Sequence, residues 1–560
     1  MRSDDPTDTS REGSADTPAP AADDDLPQAA VETEDARPTR RDRRQHRRRR
    51  WWIAASTAVA VALLAGGATA WFVLRPSGEE ADVEPVSESA TDPGSGPSVG
   101  PDTSAAPDTA TTAPPFNGWV NPDSVGQPWG DTVPGLLTFR GNPTRTYYGA
   151  GPVPSDPTIL WSYPDARMCS LSSDGGEVSQ WCGMGWTGQP AVFDRDGKTW
   201  VVFGAFDRAV HFLDAESGTD LLPPFETGDI IKGSVTVDPD GFPLVYTGSR
   251  DGFYRILAID GGEARELWKL DADAVSPTKW NDDWDSSGLV IADYLFIGGE
   301  NSNIHIVKLN RGHDADGRVS VNPELVWNAP GWDDELLGAI GDSNVSIENS
   351  VAIYENTLYF ANSGGLVQGW DISGVTLGFE PTRVFRFWTG DDTDASVVID
   401  GEGYLYVASE WERFTDRSSE VGQLMKLDPR NVDNPLVWKV DDRDAQPAGI
   451  WGTPALHDDV VYAATNGGRF MAVDRATGEI RWSKQLPAPT WQSPVVVDDV
   501  LVMGDCNGTL HAYDVSDTTI DPPELWSVEI GGCIEATPAV WNGRIYVGTR
   551  AGFFHALGDG

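Results

Sequence analysis

Three short phrases near the C-terminus, Gly452-Thr-Pro-Ala-Leu456, Gln492-Ser-Pro-Val-Val496 and Ala536-Thr-Pro-Ala-Val540, are copies of one another, and three places before their prolines stand Trp451, Trp491 and Glu535. Degenerate copies opening at Trp186, Lys232, Ser286, Glu348 and Asp394 put Thr187, Lys232, Ser286, Glu348 and Asp394 in the matching place. If the copies surround one axis, these side chains ring one opening. Acids, a lysine and two tryptophans converging there read as a ligand pocket, since indoles give a flat stacking surface and fixed charges give orientation. The candidate binding residues are therefore Lys232, Glu348, Asp394, Trp451, Trp491 and Glu535. Glu348 and Asp394 open consecutive copies and should be neighbours. Two carboxylates sharing a partly desolvated site raise one another's pKa or recruit a cation. The acidic runs Asn281 to Asp285 and Asp391 to Asp394 precede two openers and would face the same mouth, where Ca²⁺ could bind. The plainer reading is a solvated vestibule lined by polar residues, and the residues alone leave both open.

The elements that must position this ring are short strands. Trp438, Trp482 and Trp526 recur at equal intervals (482 − 438 = 44; 526 − 482 = 44), and between them fall an opening strand, a Gly- or Asn-containing turn and two further apolar runs. Four strands per period of this length, rich in Val, Tyr and Gly turns, form a β-propeller blade. Working backwards gives eight openers but only seven closing aromatics: Phe225, Trp268, Trp327, Trp388, Trp438, Trp482 and Trp526. The missing closer lies upstream, where Thr158-Ile-Leu-Trp161 has the same Leu-Trp ending as Glu266-Leu-Trp268. The expected fold is an all-β, eight-bladed propeller spanning 131–560, with this N-terminal strand completing the last blade and removing the open edge of the ring.

Upstream, residues 1–50 are polar and charge-divided, acidic up to Asp35 and then carrying nine arginines against one acid from Arg37 to Arg50. With almost no apolar surface to bury they are expected to be disordered. Trp51 to Leu74 is 24 residues without a charge, with aromatics at both ends. At 1.5 Å per residue it spans the roughly 30 Å hydrocarbon core, and the arginines on its N-terminal side place residues 1–50 in the cytoplasm and everything after Arg75 outside. The competing reading is a cleaved signal peptide, since Ala68-Thr-Ala70 fits a small-residue cleavage site, although a 50-residue leader is long for that. Residues 75–130, rich in Pro, Ser, Thr, Gly and acids, read as a disordered tether.

Net charge is −45, of which residues 1–50 contribute 11 − 12 = −1, so the excess belongs to the exported part. Such a surface repels phosphates and argues against nucleic acid. Four cysteines in an oxidising compartment favour disulfides over metal ligation, with three pairings open. Cys169 and Cys182 flank one short loop. Cys506 ends a second strand and Cys533 just precedes the next opener, so that bridge would staple blade seven to blade eight near the mouth. Free buried thiols are the alternative. Asp314-Ala-Asp316-Gly lacks the later Glu of a calcium loop and reads as a turn. No Gly-x-Ser-x-Gly, His-Glu-x-x-His, phosphate-loop or dinucleotide pattern is present, and the seven histidines are scattered.

The phrases Gly452-Thr-Pro-Ala-Leu456, Val461-Tyr-Ala-Ala-Thr465, Phe470-Met-Ala-Val-Asp474 and Ala476-Thr-Gly-Glu-Ile-Arg-Trp482 resemble the repeats of quinoprotein (PQQ-like) propellers. Phe139-Arg-Gly-Asn-Pro-Thr-Arg-Thr146 is similar to the segment that commonly introduces these domains. That family includes eight-bladed alcohol dehydrogenases using pyrroloquinoline quinone and calcium, and the non-enzymatic propeller lipoprotein of the outer-membrane assembly machine; the repeat speaks for fold more than for function. The dehydrogenases carry two adjacent cysteines over the quinone, which this chain lacks, and the lipoprotein's anchoring cysteine has no counterpart before Cys169. The sequence therefore points to a single-pass plasma-membrane protein whose propeller is a binding or scaffolding module for an unknown ligand outside the cell. The alternative is a quinone- or calcium-dependent oxidoreductase with an altered site.

Overall fold

The computed structural model describes residues 116–560 apart from 175–176, 187 and 444–446. The expected tail, membrane span and most of the tether lie outside these residues, and among the described residues no helix is long and apolar enough to cross a membrane.

The repeat resolves into eight antiparallel sheets in chain order. The first blade is Ala191–Arg195, Lys198–Gly204, Ala209–Asp214 and Asp220–Glu226; the seventh is Val495–Val497, Val500–Gly504, Thr509–Asp514 and Glu524–Glu529. The eighth has three C-terminal strands, Ala539–Trp541, Arg544–Gly548 and Phe554–Asp559, and takes its outer strand, Pro157–Tyr163, from the N-terminal side, with Tyr163 opposite Phe554 and Trp161 opposite Ala556. Alternation of β-branched and aromatic residues buries each inner strand on both faces, and the core lies between neighbouring blades.

The closing tryptophan owes its recurrence to a contact between blades. Trp438 donates from Nε1 to the Arg475 carbonyl of the next blade (3.0 Å), and its ring lies against Gly478, where a Cβ would stand 2.7 Å from the indole. Gly478 also has φ +77°, so both the space and the left-handed backbone call for glycine. Trp161 repeats this across the seam: its Nε1 donates to the Ala215 carbonyl of the first blade (3.2 Å), and its ring abuts Gly218 (φ +69°). A second lock runs along the inner strands, where the backbone N–H of one blade donates to a hydroxyl of the next: Ser287 to Ser350 (3.0 Å), Ser350 to Ser396 (2.9 Å), Ser396 to Thr453 (3.0 Å) and Thr453 to Ser493 (2.9 Å).

One end of the channel is closed by residues 134–152, which touch every blade. Gly135–Leu136 pairs with Val192 and Phe193 of the first blade, and Gly149–Ala150 runs parallel to Val540 and Trp541 of the eighth. Between them, the carbonyls of Leu137, Pro143 and Thr144 accept from Val237, Ile353 and Ile399, and the Tyr148 hydroxyl accepts from Leu456. The fully buried Arg145 reaches the carbonyls of Val351 (2.5 Å) and Ser287 (3.1 Å), and the equally buried Arg140 reaches those of Pro454 (2.6 Å) and Pro494. Burial lowers both guanidiniums, Arg145 to about 9, so it remains charged at neutral pH. The body also begins earlier than the composition suggested. Trp119 packs edge-on against Tyr294 and Phe296, and Trp119 and Val120 donate to the Glu355 carbonyl, because these apolar side chains find a groove between blades three and four.

Replacing Arg145 by Met would leave the buried carbonyls of Val351 and Ser287 unpaired, at a cost of about 3 kcal/mol or more. Urea unfolding of the purified protein checks this; a loss below about 1 kcal/mol would contradict the keystone role.

Burial also lowers His305 and His555, on the third strands of blades three and eight, to about 4. An unfolded histidine takes its proton near 6.5, so between about 6.5 and 4 the unfolded chain binds more protons and stability falls as pH falls. Each contributes about 3 kcal/mol that is present above that window and lost toward pH 4. The melting temperature of His305→Gln, measured from pH 7 to 4, should therefore fall less steeply than that of the wild type.

Candidate functional site

The mouth lies at the start of the inner strands, opposite the closed end. Glu348 and Asp394 stand five residues before Ile353 and Ile399 of the strands Ala352–Tyr354 and Val398–Ile399, so in an extended chain the two ends are about 16 Å apart at 3.3 Å per residue. The hydroxyl locks fix the alignment of the ring. Each mouth residue stands two before a locking position, as Glu348 does before Ser350, Asp394 before Ser396 and Trp451 before Thr453. In blade three the locking residue is Ser287, so the ring position is Asp285 and not Ser286; the one-residue error arises because the doublet Ser286-Ser287 offers two registers. Thr187 lies outside the described residues.

The structure brings the acids together. Oxygens of Asp285, Glu300 and Glu348 lie within 4.8 Å of one another, and so do those of Asp392, Asp394 and Glu410. Ser363 joins the two triads, with its hydroxyl 3.3 Å from Glu348 Oε1 and 2.9 Å from Asp394 Oδ1, while Ser346 donates to Glu348 (2.7 Å). Ser346 and Ser363 together thus link Glu348 of one triad to Asp394 of the other. The solvated-vestibule reading does not describe these groups: Glu348 is 8% exposed, Asp394 and Glu410 4%, and Asp285 and Asp392 not at all. Lys232 pairs with Asp285 and stands 3.8 Å from Glu300. Burial pushes neighbouring Asp391 up to about 6, although it accepts backbone N–H groups from Asp392, Glu412, Arg413 and Phe414.

The other half of the ring is aromatic. Trp451 meets Trp491 edge-on (6.1 Å between centroids), and Trp186 of the first blade stacks on Trp451 of the sixth at 4.9 Å. Glu535 is held by Arg550 (2.9 Å). Both disulfides form as the spacing suggested: Cys506 to Cys533 joins blades seven and eight, and Cys169 to Cys182 closes not a plain loop but a hairpin of Cys169–Asp174 and Glu177–Cys182. Asp314 accepts from Asp316 and Arg318 and is a turn.

Of a second tier of mouth residues, two places after the end of each second strand, sequence reasoning placed only Cys506 and missed Phe206, Arg250, Glu300, Asn362, Glu410, Asn466 and Arg550. Their signal was available, since each follows a strand ending in Gly, Ala or Phe and one intervening residue. They contact the first tier. Arg250 pairs with Asp283 (2.9 Å), and Asn466 accepts the Trp451 N–H (3.0 Å) and reaches Glu410 (3.5 Å).

Carboxylate oxygens clustered in this way suit a hard cation such as Ca²⁺, and Asp285, Glu300, Glu348, Asp392, Asp394 and Glu410 are the residues that could hold one. They do not suit pyrroloquinoline quinone, itself a tricarboxylate. Its charges would face these acids, and the basic residues of the ring, Lys232, Arg250 and Arg550, are already ion-paired.

Fold and repeat define the class: an all-β, eight-bladed β-propeller. Residues 420–529 match the family described as outer membrane protein assembly factor BamB. Among solved structures, europium-containing methanol dehydrogenase is similar at 12% identity and a TM-score of 0.52, over 76% of this chain and 98% of that one. BamB from Moraxella catarrhalis is similar at 16% identity and a TM-score of 0.46, over 72% and 98%. Quinohemoprotein alcohol dehydrogenase from Comamonas testosteroni is similar at 14% identity and a TM-score of 0.47, over 76% and 80%. No curated protein matches the sequence. Likeness at these identities is likeness of fold.

Exchanging Glu348 for Gln and Asp394 for Asn together keeps side-chain volume while removing two buried like charges. Scanning calorimetry in metal-free buffer should show the melting temperature unchanged or raised by about 2 °C. A drop of several degrees would make these acids part of the scaffold.

Proposed function

We propose that the protein is a membrane-tethered, extracytoplasmic binding module whose propeller mouth captures a cation or a cationic group. The observation that supports this most directly is the pair of buried carboxylate triads bridged by Ser363 at the open end of the channel. Carboxylates clustered this closely in a desolvated site favour the company of positive species, of which Lys232 supplies one beside Asp285, and such an arrangement marks function more often than stability. The indoles of Trp451 and Trp491 add flat, electron-rich faces beside the acids. The uncharged 24-residue segment Trp51 to Leu74 and the arginines before it support anchoring with the propeller outside. The oxidoreductase alternative shares the calcium-binding acids but draws no support for its quinone from the donor set.

Titration of the full-length protein in detergent with Ca²⁺, followed by calorimetry and thermal melting, tests the binding. A ligand at a hundredfold excess over its Kd stabilises the fold by about 2.7 kcal/mol. The wild type should gain stability and Glu348→Gln/Asp394→Asn should not; no response to Ca²⁺ or Mg²⁺ in the wild type would sink the reading. For topology, protease added outside intact cells should release a soluble fragment by cutting between Arg75 and Pro115. Cleavage of residues 1–50 with the propeller protected would reverse the orientation.

A further inference from the structure

We propose that the protein serves the acids of blade three with its own cationic side chains and keeps the matching acids of blade five, Asp392, Asp394 and Glu410, for a ligand that imitates those side chains: a small organic dication with ammonium or guanidinium ends. This deepens the reading of the mouth as a cation site and rests on it.

Blades three and five carry the same acids in the same places. Two residues before the ring position, at it, and in the second tier stand Asp283, Asp285 and Glu300 in blade three and Asp392, Asp394 and Glu410 in blade five, a set that no other blade has in its sequence. The backbone frames agree as well: Glu300 donates its N–H to the Asp283 carbonyl (3.0 Å), and Glu410 donates to the Asp392 carbonyl (2.8 Å). What the set holds in blade three is visible. The ring residue of blade two, Lys232, pairs with Asp285 and stands 3.8 Å from Glu300, and the second-tier residue of blade two, Arg250, pairs with Asp283 (2.9 Å). Arg250 also lies over the Trp181 ring (5.8 Å). An ammonium and a guanidinium, both from the preceding blade, are thus the partners that this arrangement of acids takes.

Blade four offers blade five a different pair. In the places of Lys232 and Arg250 it has Glu348 and Asn362. Asn362 donates its amide to the Gly331 carbonyl (2.6 Å), and Glu348 adds a carboxylate that Ser363 links to Asp394. The equivalent positions therefore change from two cations and three acids to one neutral amide and four acids, and a ligand with two positive ends restores what blade two supplies to blade three. An indole flanks this set too. Glu410 is bridged to Gly449, and Asn466 joins Glu410 (3.5 Å) to the Trp451 N–H (3.0 Å), so Trp451 stands beside the acids of blade five as Trp181 stands beside Arg250. An indole face packs a guanidinium plane or an alkyl chain, which favours an organic cation over a metal ion.

Agmatine, an alkyl chain with a guanidinium at one end and an ammonium at the other, imitates the built-in pair. Calorimetric titration of the full-length protein in detergent should show one agmatine per chain, displaced by Ca²⁺ only at higher concentration. Lys232→Met, which takes the ammonium from the acids of blade three, should raise the stoichiometry to two. Asp394→Asn, and separately Glu348→Lys, which gives blade four the side chain of Lys232, should each weaken agmatine about tenfold or more. Should Lys232→Met fail to fold, these two variants carry the test. Two agmatines on the wild type, one on folded Lys232→Met, or undiminished binding to Asp394→Asn overturns the division between the blades while leaving a cation site standing. Ca²⁺ binding without agmatine binding overturns the organic ligand and leaves the cation reading intact. No response to agmatine, Ca²⁺ or Mg²⁺ removes both.

Discussion

The structure depends on two arginines with no carboxylate partner among their bonds. Arg140 and Arg145 sit fully buried where the inner strands converge, and their donors end on backbone carbonyls of blades three, four, six and seven. A guanidinium presents five donors in a rigid plane, so one side chain can hold several carbonyls that have no strand partner at the axis. Arg145 uses all three of its nitrogens, whereas Arg140 places its two terminal nitrogens on carbonyls and lies over the Tyr148 ring (4.2 Å), which helps to hold its buried charge. The segment carrying them therefore has to be threaded in one position, with Leu137, Pro143 and Thr144 adding backbone bonds to blades two, four and five. Ring closure is over-determined: by the plug at the axis, by the hydroxyl chain between inner strands, and by the Trp161 contact at the outer seam.

The plug closes one end of the channel, and it decides where ionisable groups can be placed. At the plug, positive charge meets carbonyl dipoles; at the mouth, carboxylates gather beside Lys232 and Ser363. The acids there are no accident of an acidic surface. A surface carboxylate keeps its water, whereas Asp285, Asp392 and Asp394 have almost none. Ser346 and Ser363 donate into the cluster at Glu348 and Asp394, and Lys232 pairs with Asp285. A scaffold held rigid by the plug and the inter-blade locks can carry that unfavourable arrangement, as strained or charged sites are carried elsewhere by surplus stability.

Much of the fold was legible in the chain because the constraint behind it repeats. A tryptophan that must lie on the glycine of the next blade recurs at a fixed interval, and its absence at the C-terminus locates the closing strand at Trp161. The plug was visible only as the phrase around Arg140 and Arg145, since its contacts reach residues hundreds of positions away and have no period. The mouth was half legible. Lys232, Glu348, Asp394, Trp451, Trp491 and Glu535 follow from one alignment column, but Glu300 and Glu410 belong to a second column, brought beside the first by strand pairing. Asp285 was displaced by one residue because a β register carries no label except the bonds that fix it.

The contrast between these columns bears on function. Locking positions stay within hydroxyl residues in Ser350, Ser396, Thr453 and Ser493, since each must accept a neighbour's N–H. Two residues earlier the same strands carry Glu348, Asp394, Trp451 and Trp491, with no shared chemistry. Where the scaffold imposes a role, the repeats agree; where it imposes none, they diverge: Lys232 on blade two, Asp285, Glu348 and Asp394 on blades three to five, Trp451 and Trp491 on blades six and seven, and Glu535 on blade eight. Acids on three consecutive blades adjoin indoles on the next two, an arrangement the fold does not require and a ligand with a positive group would use. Likeness to a methanol dehydrogenase accordingly speaks for the fold alone, and the chemistry of the mouth has to be read from this chain's own side chains.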